Sequence, residues 1–274
     1  MTVGTGTPGP MLEVSHLTKR FDRPDGKSGS LTVLDDVSLS IHRGEFVSLI
    51  GASGCGKTTF LRTMSGLLPY DEGRITLRGQ DVVGIPERVG FVFQEPALLP
   101  WRTIAQNIAF PLNASRKSNR ADAGTLVKRQ LDLAGLGAFA AYLPGQLSGG
   151  MQQRVGLARA LVAEPDVLFM DEPLSALDSF TRRALQEDVS NMIERAGATT
   201  VLVTHDIDEA IFMSDRVLVL RSNPGQIIAN VAVPLARPRR HEAQIDDPVA
   251  AELRHELLRE LLDATPGLFD RVSR

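Results

Sequence analysis

Apolar residues along this chain come in two rhythms. Short, nearly continuous runs recur at Phe46–Ile50, Val89–Phe93, Val167–Met170, Thr200–Val203 and Val217–Leu220. Runs of that length predict strands buried on both faces of a parallel sheet. Between them the spacing becomes helical, after Lys57 and over Gln152–Ala163, Thr181–Arg195 and Ile207–Met213. Strand and helix alternating in this way predict a parallel sheet flanked by helices, an α/β architecture. Nearer the N-terminus Leu12–Leu17 alternates as a half-buried strand does. Arg23–Ser30 reads as a hairpin loop, with strands following at Val33–Ile41 and Arg74–Leu77. From about Pro96 to Ala140 the spacing is helical and strand formers are few, so a helical insertion is expected on the sheet. Val249, Leu253, Leu257 and Leu261, with Leu258 and Leu262 beside them, predict a C-terminal amphipathic helix packed onto the body.

Composition narrows the class. With 274 residues, 43% of them apolar, the chain can bury a sizeable core. No apolar run approaches the length needed to cross a bilayer. Met1–Pro10 is rich in Gly, Thr and Pro, lacks the regions of a secretory signal, and reads as a disordered lead-in. The expectation is a cytoplasmic protein, and a single cysteine agrees with a reducing compartment. A net charge of −3 with both signs interspersed offers no broad basic face for nucleic acid or lipid.

The chemistry begins at Gly51-Ala52-Ser53-Gly54-Cys55-Gly56-Lys57-Thr58-Thr59, between a predicted strand and a predicted helix. That is the context of a phosphate-binding P-loop. Glycines let successive N–H groups turn inward on phosphate oxygens, and the helix start adds partial positive charge. Lys57 is expected to bridge the β- and γ-phosphates of a nucleotide, and Thr58 to coordinate Mg²⁺. The strand Val167–Met170 ends in Asp171-Glu172. Asp171 is expected to hold the same Mg²⁺, and Glu172 to act as general base on the attacking water. Cys55, among the phosphate-facing amides, is expected to favour its thiolate and to react with thiol reagents.

Leu147-Ser148-Gly149-Gly150-Met151-Gln152-Gln153-Arg154 is physically a second phosphate site: a serine cap, two glycines and a following helix. One chain with two such sites needs two phosphates or two chains. The octapeptide resembles the signature of ATP-binding cassette proteins. The resemblance spans nearly the whole chain and implies two copies head to tail, each ATP lying between one P-loop and the partner's Ser148 and Gly150. It further implies a Q-loop glutamine at Gln94, touching Mg²⁺ and the attacking water. Ser175–Asp178 becomes a D-loop crossing the dimer interface, His205 a switch histidine on the γ-phosphate, and Phe21 an aromatic stacked on adenine, although tyrosine is more usual there. Ser148, Gly149, Gly150 and Asp178 thereby join the nucleotide-binding set. The fold implied is a P-loop NTPase with a RecA-like core, an antiparallel β subdomain and an inserted helical signature subdomain. A cassette domain over residues 11–235, its helical part at about 95–160, would be followed by a helical tail over 236–274.

The segment Phe93–Thr103, with Leu99-Pro100-Trp101 after the glutamine, resembles the ATPases of nitrate, sulfonate and taurine importers, and Leu235–Arg240 is similar to that group's C-terminus. This implies an ATPase on the cytoplasmic face of the membrane, separate permease subunits docking near Gln94–Arg102, and a solute-binding protein engaged indirectly. Importers of pyrimidine precursors share these features. A soluble cassette acting on DNA or in protein assembly is the rival class, but long coiled coils and a second cassette are both missing from this sequence.

Overall fold

The computed structural model describes residues 9–23, 29–114, 120–175, 177–245 and 247–264. Residues 1–8 of the predicted lead-in, 24–28 of the predicted hairpin loop, Ala176, and 265–274 of the tail lie outside the described residues. In chain order the strands are β1 (Leu12–Asp22), β2 (Ser30–Ile41), β3 (Phe46–Gly51), β4 (Glu72–Leu77), β5 (Gln80–Asp81), β6 (Val89–Val92), β7 (Val167–Asp171), β8 (Thr199–Val203), β9 (Arg216–Arg221) and β10 (Gln226–Ala232). The helices are α1 (Lys57–Met64), α2 (Ile104–Ala114), α3 (Arg120–Leu133), α4 (Gly149–Leu161), α5 (Ser179–Ala196), α6 (Ile207–Met213), α7 (His241–Ile245) and α8 (Pro248–Asp263).

Among the described residues the strands form two sheets. A six-stranded sheet runs β10-β9-β3-β8-β7-β6, parallel except for β10, and a four-stranded antiparallel sheet runs β2-β1-β4-β5. Every residue of β3, β7 and β8 is buried, as their unbroken apolar runs require. Successive side chains leave a strand on opposite faces, so β7 feeds two cores. Leu168 and Met170 join α2–α5 on one side, while Val167 and Phe169 meet Phe60 and Leu61 of α1 and the antiparallel sheet on the other.

Register places the site. Leu49 pairs with Val203, Asp171 with Val203, and Val92 with Met170. The C-terminal ends of β3, β6, β7 and β8 therefore share one edge of the sheet, where ligands bind in open α/β folds.

Three departures from the sequence reading have physical causes. The first strand continues past Leu17 to Asp22 because bulges at Val14/Leu17 and beyond re-aim it, breaking the alternation. Strand β10 was not expected; it is an edge strand, mostly half-buried or exposed, and its residues carry no strong apolar pattern. In α8, Leu253 and Leu257 are buried against Ile211, Val217 and Val219, while Val249 and Leu258 are exposed. The packed stripe is narrower than the leucine pattern suggested. Among the described residues no helix is long and apolar enough to cross a membrane.

Candidate active site

Gly51 closes β3 where no side chain fits. A Cβ there would lie 2.6 Å from the Leu220 carbonyl oxygen and 2.7 Å from Cys55 Sγ. Gly54 and Gly56 take φ of 78° and 102°, open to glycine at little cost. The turn delivers the chain into α1 with Gly56 as N-cap and no side-chain oxygen on its first N–H groups. The starts of α4, α5, α6 and α8 are capped by Ser148, Asp178, Asp206 and Asp247. The α1 start thus keeps donors and a partial positive charge available to an anion.

Lys57 is 7% exposed and donates from Nζ to the carbonyls of Gly51 (2.8 Å) and Ala52 (3.1 Å). Its ammonium folds back over the loop that it would otherwise extend from. Thr58 Oγ1 donates to Asp171 Oδ1 at 2.8 Å, joining two of the three expected Mg²⁺ ligands across the sheet edge. Burial pushes the Asp171 carboxyl above its ordinary range and Glu172 adds to the rise, although the Thr58 hydrogen bond, Arg62 at 3.8 Å and Lys57 pull the other way. Two adjacent oxygen donors, one a desolvated carboxylate, fit a hard divalent cation.

Glu172 sits in the left-handed region, φ 46°. Its N–H donates to Val203 O at 2.9 Å, and its carbonyl accepts from Ser175 N and Oγ. Such a conformation in a non-glycine residue costs energy and is held by its surroundings. Here it aims a half-buried carboxylate beside His205, whose Nδ1 lies 3.3 Å from Glu172 Oε2. The end of β8 is braced behind it. Thr204 Oγ1 donates to Glu209 and accepts from Asp206 N, while Gln186 Nε2 donates to Glu209. Burial raises the Glu209 carboxyl above its usual range, with Asp206 contributing.

The structure therefore gathers Lys57, Thr58, Asp171, Glu172 and His205. It does not bring every expected residue to them. Gln94 is exposed past the end of β6, and no hydrogen bond joins it to Thr58 or Asp171 among the described residues. Phe21 is 38% exposed on β1, which sets aside a core role, with Lys19 Nζ 5.1 Å from its ring centre. Ala52, Ser53 and Thr59 lie on the loop and first turn, half-buried or exposed. Ser148 accepts from Met151 N, and the side chains nearest the flanking glycines are Leu177 and Thr181. Asp178 Oδ1 accepts from Thr181 N at 3.0 Å, which holds its carboxyl below the usual range. The signature and D-loop residues thus border each other, and among the described residues no hydrogen bond ties them to the P-loop of their own chain.

Cys55 corrects the sequence reading. It is 2% exposed, and burial pushes its thiol up, more than Lys57 and the backbone N–H groups pull it down. Desolvation of the thiolate outweighs the helix start, which disfavours the expected thiolate, and the side chain packs beneath Gly51.

Sequence reasoning missed Arg182. Its guanidinium donates to the carbonyls of Leu174 (3.2 Å), Ser175 (3.5 Å) and Leu177 (2.8 Å) and lies 3.6 Å from Asp206. It straps the D-loop to the segment after His205. Nothing in the sequence separates it from a solvated helix arginine.

The description "ABC transporter" attaches to a family model that matches residues 34–175, from β2 through the acidic end of β7 and past the signature. The chain belongs to the ABC transporter family. It is one of that family's ATP-hydrolysing cassettes. Over 245 residues the cassette is 43% identical to the aliphatic sulfonates import ATP-binding protein SsuB 2 of Burkholderia cenocepacia, covering 89% of this chain and 86% of that one. It is 44% identical over 250 residues to the nitrate import ATP-binding protein NrtC of Synechococcus elongatus, covering 90% of the cassette but 38% of that longer protein. A solved dimeric cassette, in a post-hydrolysis state bound to ADP and Pi, superposes with a TM-score of 0.70 at 31% identity over 82% of this chain and 100% of its own.

Proposed function

We propose that the cassette hydrolyses Mg-ATP in a head-to-tail dimer and drives uptake of a small oxyanionic solute, a sulfonate or nitrate, through permease subunits at the cytoplasmic face of the membrane. The observation that carries the ATPase part is the 2.8 Å contact between Thr58 and Asp171 beside an uncapped α1 start. ATP phosphates would take the N–H groups from Gly54 to Thr59, and Lys57 would exchange the carbonyls of Gly51 and Ala52 for phosphate oxygens. Mg²⁺ held by Thr58 and Asp171, with Gln94 reaching it in the closed site, would supply charge neutralisation on those oxygens. Glu172 would take the proton of the attacking water as its oxygen bonds to the γ-phosphorus and ADP leaves. His205 would orient Glu172 and donate to the γ-phosphate. Phe21, exposed, would stack on adenine.

The dimer is supported by the dimeric solved relative and by the absence, among the described residues, of any hydrogen bond between the signature and its own P-loop. Docking near Gln94–Arg102 is supported by Trp101, 73% exposed, with exposed Phe93 and Phe110 close in sequence. The solute class is supported by the names of the relatives, sulfonate and nitrate importers; a pyrimidine precursor is the alternative.

Glu172→Gln tests the mechanism. Turnover should fall by about 10²–10⁴-fold while ATP converts monomer to dimer on size exclusion. A variant that stays monomeric with ATP overturns the shared site. Lys57→Ala in the source organism, grown on an alkanesulfonate, sulfate or nitrate as sole sulfur or nitrogen source, tests the solute. Selective loss on the sulfonate or on nitrate assigns it, and equal growth on all removes both.

A further inference from the structure

Glu209 carries a buried carboxylate that the reaction proposed above does not use. It sits in the first turn of α6, 4% exposed, where two neutral donors reach it. Thr204 Oγ1 donates to one carboxylate oxygen, and Gln186 Nε2, 3.3 Å away, donates to the other. Burial raises the carboxyl above its usual range, and Asp206 adds to the rise. A space that needs only filling is filled by an apolar side chain of similar size without the desolvation cost of a carboxylate. What the carboxylate adds is direction.

The hydrogen bonds close a ring around His205. Asp206 N donates to Thr204 Oγ1, Thr204 Oγ1 donates to Glu209 Oε2, and Glu209 N returns to Asp206 Oδ1 at 3.2 Å. Both chain neighbours of His205 belong to that ring. Its own side chain is exposed, with Nδ1 3.3 Å from Glu172 Oε2. The Thr204 hydroxyl has one proton, and with that proton given to Glu209 its lone pairs are left for Asp206 N. We infer that Glu209 is a positioning residue for ATP hydrolysis: through Thr204 it fixes the backbone on either side of His205 and so aims the imidazole at Glu172. Gln186 extends the same hold to α5, the helix that starts at Asp178 of the D-loop. The inference rests on the roles given above to Glu172 and His205, and Glu209 acts only through them.

Steady-state ATPase rates of the full chain test it, with ADP affinity and thermal melts as controls. Glu209→Met fills the space but takes no proton from Thr204. Its kcat should fall about tenfold, while KM for ATP and the affinity for ADP stay within about twofold of wild type. Glu209→Gln keeps an acceptor for Thr204, and Gln186 can turn its amide to match, so most of the rate should return. Thr204→Val cuts the same link from its other end. It should match Glu209→Met, and the double variant should be no slower than either. Full turnover in Glu209→Met, a parallel loss of ADP affinity, or losses that multiply in the double variant overturn the inference and leave Glu209 a buried structural group. If Glu209→Met does not fold, Thr204→Val decides: wild-type kcat overturns the inference, and a loss of about tenfold at unchanged KM upholds it. His205→Ala separates the inference from the reading beneath it. Wild-type turnover in His205→Ala removes the role given to His205, and that of Glu209 with it. A slow His205→Ala beside a fast Glu209→Met removes the role of Glu209 alone.

Discussion

Two glycine-led helix starts do similar jobs by opposite means. At α1 the chain arrives through Gly54 and Gly56 with positive φ, and no side chain caps the helix. At α4 it arrives through Ser148 at φ −66° and ψ 160°, ordinary extended backbone, and the serine oxygen caps the helix from within. Around α1 stand a buried ammonium on carbonyls and a buried carboxylate held above its usual range. Around α4 stand Leu177 and Thr181. The first end is left unbalanced and, on the proposed mechanism, would be completed by a ligand; the second is capped from within. On the mechanism proposed above, a fold with both would bind nucleotide as a single chain and hydrolyse it only when a partner supplies the second end.

Glycine substitutions should divide the two ends most sharply. Gly56→Ala places a Cβ 3.1 Å from Leu34 Cδ2 at φ 102°. It should cost about 1–3 kcal/mol of stability and remove ATP binding, as read by thermal melts and nucleotide titration. Gly149→Ala meets nothing nearer than Leu177 Cδ2 at 3.6 Å. It should leave stability within about 0.5 kcal/mol and single-chain ATP binding intact, yet lower turnover about tenfold or more. Loss of ATP binding by monomeric Gly149→Ala would break the division.

A smaller effect is expected at Asp171. A carboxyl whose folded value is raised contributes stability that is full below its ordinary range and lost as pH rises through the raised value. Asp171→Asn should therefore stabilise the nucleotide-free chain on the order of 1 kcal/mol at pH 8. The advantage should shrink as pH falls toward the ordinary aspartate range, and Mg²⁺-dependent hydrolysis should be lost throughout. Smallest is Ser148→Ala. Its cap hydrogen bond is long, 3.4 Å, so melting should show a loss of about 0.5 kcal/mol. A Ser148→Ala chain as damaged as Gly56→Ala would mean that the signature end is not balanced by itself.

Legibility in the sequence followed locality. The five buried parallel strands and the P-loop announce themselves because each is a contiguous run whose neighbours along the chain decide its conformation. Asp171-Glu172 was readable because an acidic pair ends such a run. Strand β10 was not, since an edge strand with one exposed face has little apolar pattern to show. Arg182 was invisible for a different reason: its partners are the carbonyls of Leu174, Ser175 and Leu177, which the loop before α5 folds back onto it, and the Asp206 carboxylate, and no apolar run or spacing announces either. Cys55 misled because its immediate neighbours argue for a thiolate, while the desolvation that decides the matter comes from Gly51 and the packing beneath it.

Asn107 draws one further consequence. Completely buried at the first turn of α2, it accepts from Leu99 N and donates to the carbonyls of Leu99, Arg102 and Thr103. From the other side Arg159 of α4 donates to the carbonyls of Pro96 and Ala97. The turn that carries Trp101 is thus riveted at both ends to two stiff rods, one of which begins at Ser148. A load on that turn has little slack in which to dissipate. If permease subunits dock there as proposed above, a push on the turn would be carried along α4 toward the signature.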